Sequence, residues 1–473
     1  MNDKPLEAAS VELFDGSTKR IRTQRVRDPV HGLITFRGDD ALDQLAWQLI
    51  DTPEFQRLRR IKQLGVSEFV YPGATHTRFA HSIGVFHIAR QLVHVVAREL
   101  KEEKKEPDDK RDEVAILAAL LHDVGHGPFS HTFEGVQRER GFKKKHETWS
   151  AEIIRAKNSN IRHFLDRYKD GLAEEVSSLL ELEDPTDIYH AIVSSSFDAD
   201  RLDYLRRDRF MTGTGAGAID FDWLMEHLRI RKIDLDAVDG GIEGDGPKVF
   251  TFCIDRKALP AAEQFLLARY TLHEQVYFHK TTRCIEHMIA KLLLLVSNFS
   301  SDLESVKRNT GLEREHPLIR FFATKEPTVS EYLPLDDFVI YGAIERMVFA
   351  GDKNIAVLAK RLRDRDLYKT LDCRAFHREF DHQAASVKKI DKRFASEMDS
   401  VIKDSNARLS IYTQVGGDEE KAHKKLRILE ENGKTPEITK FGGIVNNLNL
   451  NLTRYYFKNV EDREEAKKVG GGQ

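Results

Sequence analysis

The sequence predicts a mostly α-helical protein with a small β-hairpin element and a C-terminal α+β region. Three observations carry this expectation. The run Val114 to Leu121 is apolar throughout, built mostly from strong helix formers, and is broken just afterwards by Gly125, Gly127 and Pro128. The segment Phe79 to Leu100 repeats apolar residues at helical spacing. Strand-like patterns are confined to short pairs beside turns, around Arg25 to Phe36 and Arg229 to Ile254.

Taken in order, residues up to Arg20 are polar and read as frayed, and a hairpin bent at Pro29 and Gly32 follows. A helix is expected from Asp40 to Ile50. Thr52 as N-cap and Pro53 at the first helical position start another, basic helix that runs to Leu64 and stops at Gly65. After the Phe79–Leu100 helix, the charged stretch Lys101 to Asp112 reads as a solvated loop. Helices continue from Lys143 through Ile192 and over Phe197 to Asp208. A hairpin with a Gly-rich turn at Gly240 to Gly246 comes next, then two long helices, Leu259 to Tyr277 and His279 to Asn298. The remainder is loop-interrupted, with a helical centre at Ile344 to Arg363. Residues 463–473 are charged and glycine-rich and read as a disordered tail.

A chain of 473 residues has room for two or three domains and a large core. Its 74 basic and 77 acidic residues leave a net charge of -3, so no general affinity for nucleic acid or a membrane surface is written into the composition. Any anion site must be local. Cys253, Cys284 and Cys373 are scattered without CxxC spacing, which argues against a disulfide framework and for a reducing compartment, the cytoplasm by default. The N-terminus lacks a basic and apolar leader, and the run Val114 to Leu121 is too short to span a bilayer.

Chemistry concentrates where that run ends. His122 and Asp123 fall on the last helical turn and just beyond, and neighbours on a helix do not face each other. Both serve one centre only if that turn points into a pocket. His126, His131 and His146 follow closely. Imidazoles and carboxylates at this density point to a metal site with acid/base groups beside it.

With His81 upstream and Asp200 downstream the order becomes H…HD…D, which resembles the HD-domain metal-dependent phosphohydrolases. The runs Asp51-Thr-Pro-Glu-Phe-Gln-Arg-Leu-Arg59, Ile61-Lys-Gln-Leu-Gly65, His76-Thr-Arg-Phe-Ala-His-Ser-Ile-Gly84 and His122-Asp-Val-Gly-His-Gly-Pro-Phe-Ser-His131 make the likeness closer. They resemble the deoxynucleoside triphosphate triphosphohydrolases over about residues 25 to 300. The chain leaves no room for the sterile-alpha-motif module of some members, so the resemblance is to the shorter bacterial form. It implies a flexible N-terminus over 1–24, an HD-domain helical core over 25–300 and a C-terminal region over 301–462 that supplies oligomer contacts.

The resemblance also assigns residues. His81, His122, Asp123 and Asp200 are implied to hold one divalent ion (Mg, Mn, Fe or Zn), whose open positions suit Lewis-acid work on a phosphoryl oxygen or water. His131 is implied to protonate the departing 5′ oxygen. Glu134, where the family commonly has Asp, orients and charges it, and His126 and His146 line the phosphate channel. Arg78, Arg201 (usually Lys), Arg269 and Lys280 are implied phosphate partners, with the Tyr204 hydroxyl. Gln63, Asp208 and Tyr277 match the grip on the 3′-hydroxyl, and Leu64 the apolar residue under C2′. A ribose 2′-hydroxyl buried there unpaired costs on the order of 1–3 kcal/mol.

Phe278 stands where a mammalian member has a polar residue reaching the base, so no base preference carries over. Asp51, Gln56 and Arg59 match a guanine-reading effector pocket, the carboxylate accepting from N1 and N2 and the Arg fork donating to O6 and N7. Arg229 and Lys257 fall where effector phosphates would be held, with Asp255 among them, and Arg27 replaces a smaller polar residue.

Singly, each of these residues has an ordinary explanation as a core histidine, a solvated arginine, a core leucine or a capped basic helix. Together and in order they imply hydrolysis of dNTPs to deoxynucleoside and inorganic triphosphate by an oligomer, a tetramer by resemblance, activated by nucleotide at a subunit contact. Two other readings use the same residues. One is an HD phosphohydrolase acting on nucleoside monophosphates, signalling nucleotides or single-stranded DNA ends. The other is a nucleotide sensor or partner-binding protein without turnover, against which the intact His81, His122, Asp123, His131 and Asp200 count, because a sensor needs no general acid.

Overall fold

The computed structural model describes residues 10–12, 18–20, 22–215, 217–234, 248–302, 304–376, 380–396, 400–410, 425–441 and 449–471. The Gly-rich turn expected at Gly240 to Gly246 lies outside them. Among the described residues the chain is mostly helical, as expected, with four small sheets. The expectation of a frayed start is corrected in part: β1 (Ser10–Glu12) and β2 (Thr18–Arg20) pair antiparallel. The expected hairpin forms from β3 (Gln24–Asp28) and β4 (Gly32–Phe36), with Gly32 in the left-handed region at φ 73°.

Helix α1 (Ala41–Ile50) is capped by the Asp40 side chain, which accepts from Asp43 N at 2.9 Å. Thr52 and Pro53 open α2 (Pro53–Gln56), but the helix does not run on to Leu64. It tightens into a 3₁₀ turn over Arg57–Arg60, and Ile61 is extended. Tertiary contacts override the helical pattern there. The buried Arg57 guanidinium donates to Leu335 O at 2.6 and 3.0 Å and to Val124 O at 3.3 Å, which twists the chain away from regular α geometry.

The core is built by α3 (Arg78–Glu102), α4 (Asp109–Leu121), α5 (His131–Glu139), α6 (His146–Arg155), α7 (Asn160–Tyr168), α8 (Leu172–Glu181), α9 (Ile188–Val193) and α10 (Ala199–Thr212). α3 packs against both α4 and α10, so it joins the helices whose ends carry the H…HD…D residues. Every residue from Val114 to Leu121 is buried. After α11 (Phe221–Glu226), strands β5 (Leu228–Asp234) and β6 (Lys248–Asp255) form the second expected hairpin.

The Leu259 to Tyr277 expectation resolves into α12 (Leu259–Leu272) with a π turn over His273–Tyr277, and α13 (Lys280–Ser297) follows. The C-terminal region holds α14 (Val306–Thr310), α15 (Pro317–Ala323), α16 (Val329–Tyr332), α17 (Asp337–Met347) and α18 (Lys353–Arg363). The helical centre expected at Ile344 to Arg363 is thus two helices. Then come β7 (Lys369–Asp372), α19 (Phe380–Arg393), β8 (Val401–Ser410), β9 (Ile428–Leu429), β10 (Asn449–Phe457) and α20 (Val460–Gly470). β10 pairs with β7 and β8, and β9 adds to β6 in parallel.

The disordered tail expected over 463–473 is corrected by α20. Asn459 caps it by accepting from Asp462 N at 2.7 Å, and Ala466 and Gly470 are buried. Acidic residues in its first turn and lysines in its last suit the helix dipole. The apolar face is too narrow to stand out in sequence. Among the described residues no helix is long and apolar enough to cross a membrane.

Candidate active site and metal centre

The C-terminal end of α4, the N-terminal third of α3 and the first turn of α10 converge on one point. His81 Nε2, His122 Nε2 and an Asp200 carboxylate oxygen lie within 4.8 Å of one another. Asp200 Oδ1 is 3.0 Å from His81 Nε2 and 3.8 Å from His122 Nε2. Asp123 stands at the rim, with Oδ1 3.2 Å from His122 Nε2 and Oδ2 3.7 Å from His81 Nε2.

The donor set fits a divalent cation on a specific ground: both Nε2 atoms are buried without a hydrogen-bond partner. Each ring's other nitrogen is engaged. His122 Nδ1 donates to Ala119 O at 2.8 Å, and His81 Nδ1 donates to Asp203 Oδ2 at 2.7 Å, so both rings present Nε2 to the pocket. Burial pushes the His81 imidazolium down, but the neighbouring Asp200, Asp203 and Asp123 carboxylates outweigh it and raise the pKa to about 10. A proton or a cation is needed there to balance the carboxylates.

Asp203 was not singled out from sequence, although it lies one turn beyond Asp200 on the same helix face. It is fully buried and accepts from His31 Nε2 at 2.6 Å and from Arg207 Nε at 2.7 Å besides His81. Arg207 also donates to Asp28 Oδ2 at 2.7 Å, which ties the β3–β4 hairpin to the pocket. Burial acts to raise the Asp203 pKa, yet Arg207, His31 and His81 hold it well below the usual carboxylate range. Gly84 explains how α3 and α10 approach so closely: a Cβ there would stand 2.0 Å from Asp203 Oδ1 and 2.4 Å from Arg207 Nη2. Gly84→Ala is expected to destabilise the protein by about 1–3 kcal/mol and to lower metal content, read by thermal unfolding and elemental analysis.

The implied acid/base residues form a second cluster. Glu134 Oε1 accepts from His146 Nδ1 at 2.6 Å and from the His146 backbone at 2.8 Å, while Oε2 is 3.2 Å from His131 Nδ1. Despite burial, these bonds hold the Glu134 carboxyl far below its ordinary value. Burial lowers His146, but Glu134, Glu147 and Asp123 raise it above the ordinary imidazole value. The His126 ring stacks on His146 at 3.8 Å and its Nε2 is 3.1 Å from Asp123 Oδ1; burial and the Arg78 and His146 charges keep it neutral. His131 projects from the start of α5 with its side chain 75% exposed. It is delivered by Phe129 and Ser130, both at φ 51°, a region that non-glycine residues adopt only at a cost.

The phosphate-binding expectations fare unevenly. Arg78 is buried and engaged, donating to Asp123 Oδ2 at 2.6 Å and Ser130 Oγ at 2.9 Å, so it braces the pocket instead of standing free. Arg201 donates to Ser195 O at 2.6 Å and to Asp198. The Arg201 and Arg269 Nε–H groups are buried without a partner, and both charges act on Tyr204. Lys280 is exposed at the start of α13. Asp208 bridges His76 Nε2 and Tyr277 Oη, each at 2.7 Å, and the Tyr277 ring is 6.3 Å from that of Tyr204. Gln63 Oε1 is buried without a partner, and Leu64 packs half-buried against the core. His273, also missed, lies 4.8 Å from the Tyr277 ring and is pushed down to about 4 by burial and by Arg269 and Arg201. Its spacing of four from both Arg269 and Tyr277 was the available signal.

Asp51 is exposed at the end of α1. Gln56 Nε2 donates to Ile50 O at 2.8 Å, and Arg59 donates to Gln56 Oε1 at 2.7 Å with its guanidinium 3.5 Å from the Phe79 ring centre. Arg229 is elsewhere, 3.7 Å from Glu99. Phe79 and Glu99 are separated by roughly 30 Å along α3. One chain therefore does not bring Arg229 to Arg59. Lys257 is exposed beside Asp255, whose carboxylate caps its backbone N–H at 2.9 Å.

Comparison with known proteins agrees with this geometry. The HD domain model matches residues 78–205, and the HD associated region matches residues 249–309. The uncharacterized protein YwfO of Bacillus subtilis (strain 168) is 29% identical over 435 residues, covering 89% of this chain and 88% of its own. The deoxynucleoside triphosphate triphosphohydrolase SAMHD1 homolog of Dictyostelium discoideum is 30% identical over 72% of this chain, which spans 64% of that protein. The crystal structure of a phosphohydrolase from Bacteroides thetaiotaomicron VPI-5482 superposes with a TM-score of 0.68 at 26% identity, covering 92% of this chain and 99% of that one. A hypothetical protein from Aquifex aeolicus gives 0.66 at 27% identity, covering 95% and 99%. His81, His122, Asp123 and Asp200 all fall inside the segment that the HD domain model matches, so the chain carries an HD domain, and over much of its length it is similar to the deoxynucleoside triphosphate triphosphohydrolase homolog of Dictyostelium discoideum.

Proposed function

We propose that this protein hydrolyses dNTPs to deoxynucleoside and inorganic triphosphate. The observation that carries the reading is the placement of a hydrogen-bonded His131–Glu134–His146 relay beside a pocket of unpartnered imidazole nitrogens. Residues His81, His122, Asp123 and Asp200 would hold a divalent ion, which when bound supplies Lewis acidity at the phosphate. The chain's own residues do the rest. His131, its Nδ1 against Glu134, turns Nε2 outward to protonate the departing 5′ oxygen. Glu134 stays anionic at neutral pH and supports the imidazolium. Arg201, Arg269, Tyr204 and Lys280 face the triphosphate, and Asp208, Tyr277 and Gln63 take the 3′-hydroxyl over Leu64, which offers a 2′-hydroxyl no partner.

In the same reading a guanine nucleotide or dNTP at Asp51, Gln56 and Arg59 raises activity. Because Arg229 lies far from Arg59 within one chain, phosphate contacts from that strand require a second subunit, consistent with a tetramer.

Incubating the pure protein with each dNTP and a divalent metal, with and without GTP, is expected to release inorganic triphosphate, with CTP and UTP turned over far less. Release of pyrophosphate or orthophosphate alone would exclude the reading. A Glu134→Gln variant is expected to lower kcat about tenfold to a hundredfold and to shift the alkaline limb of the pH–rate profile downward. That limb belongs to His146, the protonated imidazole lining the phosphate channel: Glu134 raises its pKa, so removing the carboxylate lets that proton leave at lower pH. An alkaline limb that stays in place would show that Glu134 does not hold that proton.

A further inference from the structure

We propose that Asp337, in the C-terminal region, is a positioning residue that sets the distance between the two halves of the site: the turn carrying Gln63 and Leu64, and the loop that delivers His131. The proposal rests on the reading of the site given above. Asp337 is the first residue of α17 and is 1% exposed. Its Oδ1 accepts from Phe129 N at 2.7 Å and its Oδ2 accepts from Lys62 N at 2.8 Å. Lys62 immediately precedes Gln63, and Phe129 opens the left-handed pair that ends at His131. One buried carboxylate thus holds two backbone segments that are distant in sequence.

Two further observations set this apart from ordinary helix capping. The cap of α17 is supplied by Asp336, which accepts from Val339 N at 3.0 Å, so both Asp337 oxygens act outside their own helix. Tyr341, one turn later on the same face, grips the same two residues: its ring is 5.3 Å from the Phe129 ring at 87°, and the Lys62 ammonium stands 5.5 Å from its centre. The segment ahead of α17 is fastened to the same loop, since Tyr332 Oη donates to Gly125 O at 2.7 Å. A left-handed Phe129–Ser130 pair persists only where its surroundings over-determine it, and Asp337 provides a charged acceptor for its first amide.

The test compares Asp337→Ala, which removes both acceptors, and Asp337→Asn, which keeps the volume and one acceptor oxygen, with wild type and Asp336→Ala. Each is assayed with dCTP and CTP plus divalent metal and GTP, normalised to folded protein. Asp337→Ala is expected to lower kcat for dCTP about a hundredfold and to reduce the dCTP-to-CTP ratio of kcat/KM about tenfold, with Asp337→Asn between it and wild type. Asp336→Ala, which loses the helix cap, is expected to lower stability and leave the ratio unchanged. Should Asp337→Ala not fold, Asp337→Asn decides. Active wild type with an unchanged ratio in the Asp337 variants overturns the assignment to Asp337 alone. Absence of triphosphate release by wild type overturns the dNTP reading, and this proposal with it.

Discussion

Replacing Asp123 by Asn is expected to take triphosphate release below a thousandth of wild type, about 4 kcal/mol of barrier at 1.36 kcal/mol per decade. The carboxylate serves three neighbours at once. Its Oδ1 faces His122 Nε2 and His126 Nε2, and its Oδ2 pairs with the buried Arg78 guanidinium. Burial opposes its charge, yet Arg78, His122 and His126 hold its pKa well below the ordinary value. A neutral amide leaves Arg78 buried without its counter-charge, so stability is also expected to fall, by about 3–5 kcal/mol. Asp200→Asn separates the two effects, because the Asp200 side chain is 37% exposed. It is expected to lose metal and turnover with a near-normal melting temperature. Full metal content and full turnover in Asp200→Asn would show that this pocket is not the reaction centre.

His131→Ala is expected to lower kcat by about 10²- to 10⁴-fold while leaving metal content and melting temperature near wild type. The ring is mostly exposed and has a single polar partner, Glu134, so little packing is lost with it. The deficit should depend on the leaving group. A nitrophenyl triphosphate, whose nitrophenolate leaves from the place of the 5′ oxygen without needing a proton, should be cleaved by His131→Ala nearly as well as by wild type, and equal impairment on both substrates would argue against an acid role.

The candidate metal pocket was legible in the sequence because its chemistry restricts it to a few residue types in a set order at helix ends. α3 shows an apolar repeat and α4 an apolar run, and His81, His122, Asp123 and Asp200 stand at or just beyond helix ends. Where a local signal met a long-range contact, the contact prevailed. The helix begun at Pro53 gives way to a 3₁₀ turn because Arg57 reaches carbonyls at Leu335 and Val124. Arg78 had the right type and place for a phosphate partner, and became the buried partner of Asp123.

What residue order determined on its own was the helical class, the residues of the candidate metal site and the run of histidines beyond it. Only the tertiary structure decided that Asp203 fixes the His81 ring, that Gly84 lets α3 meet α10, and that Asp337 joins the amides of Lys62 and Phe129. The reason is physical. Periodicity reports which face of its own helix a residue occupies, whereas a buried carboxylate's partners are chosen by how distant helices pack against one another.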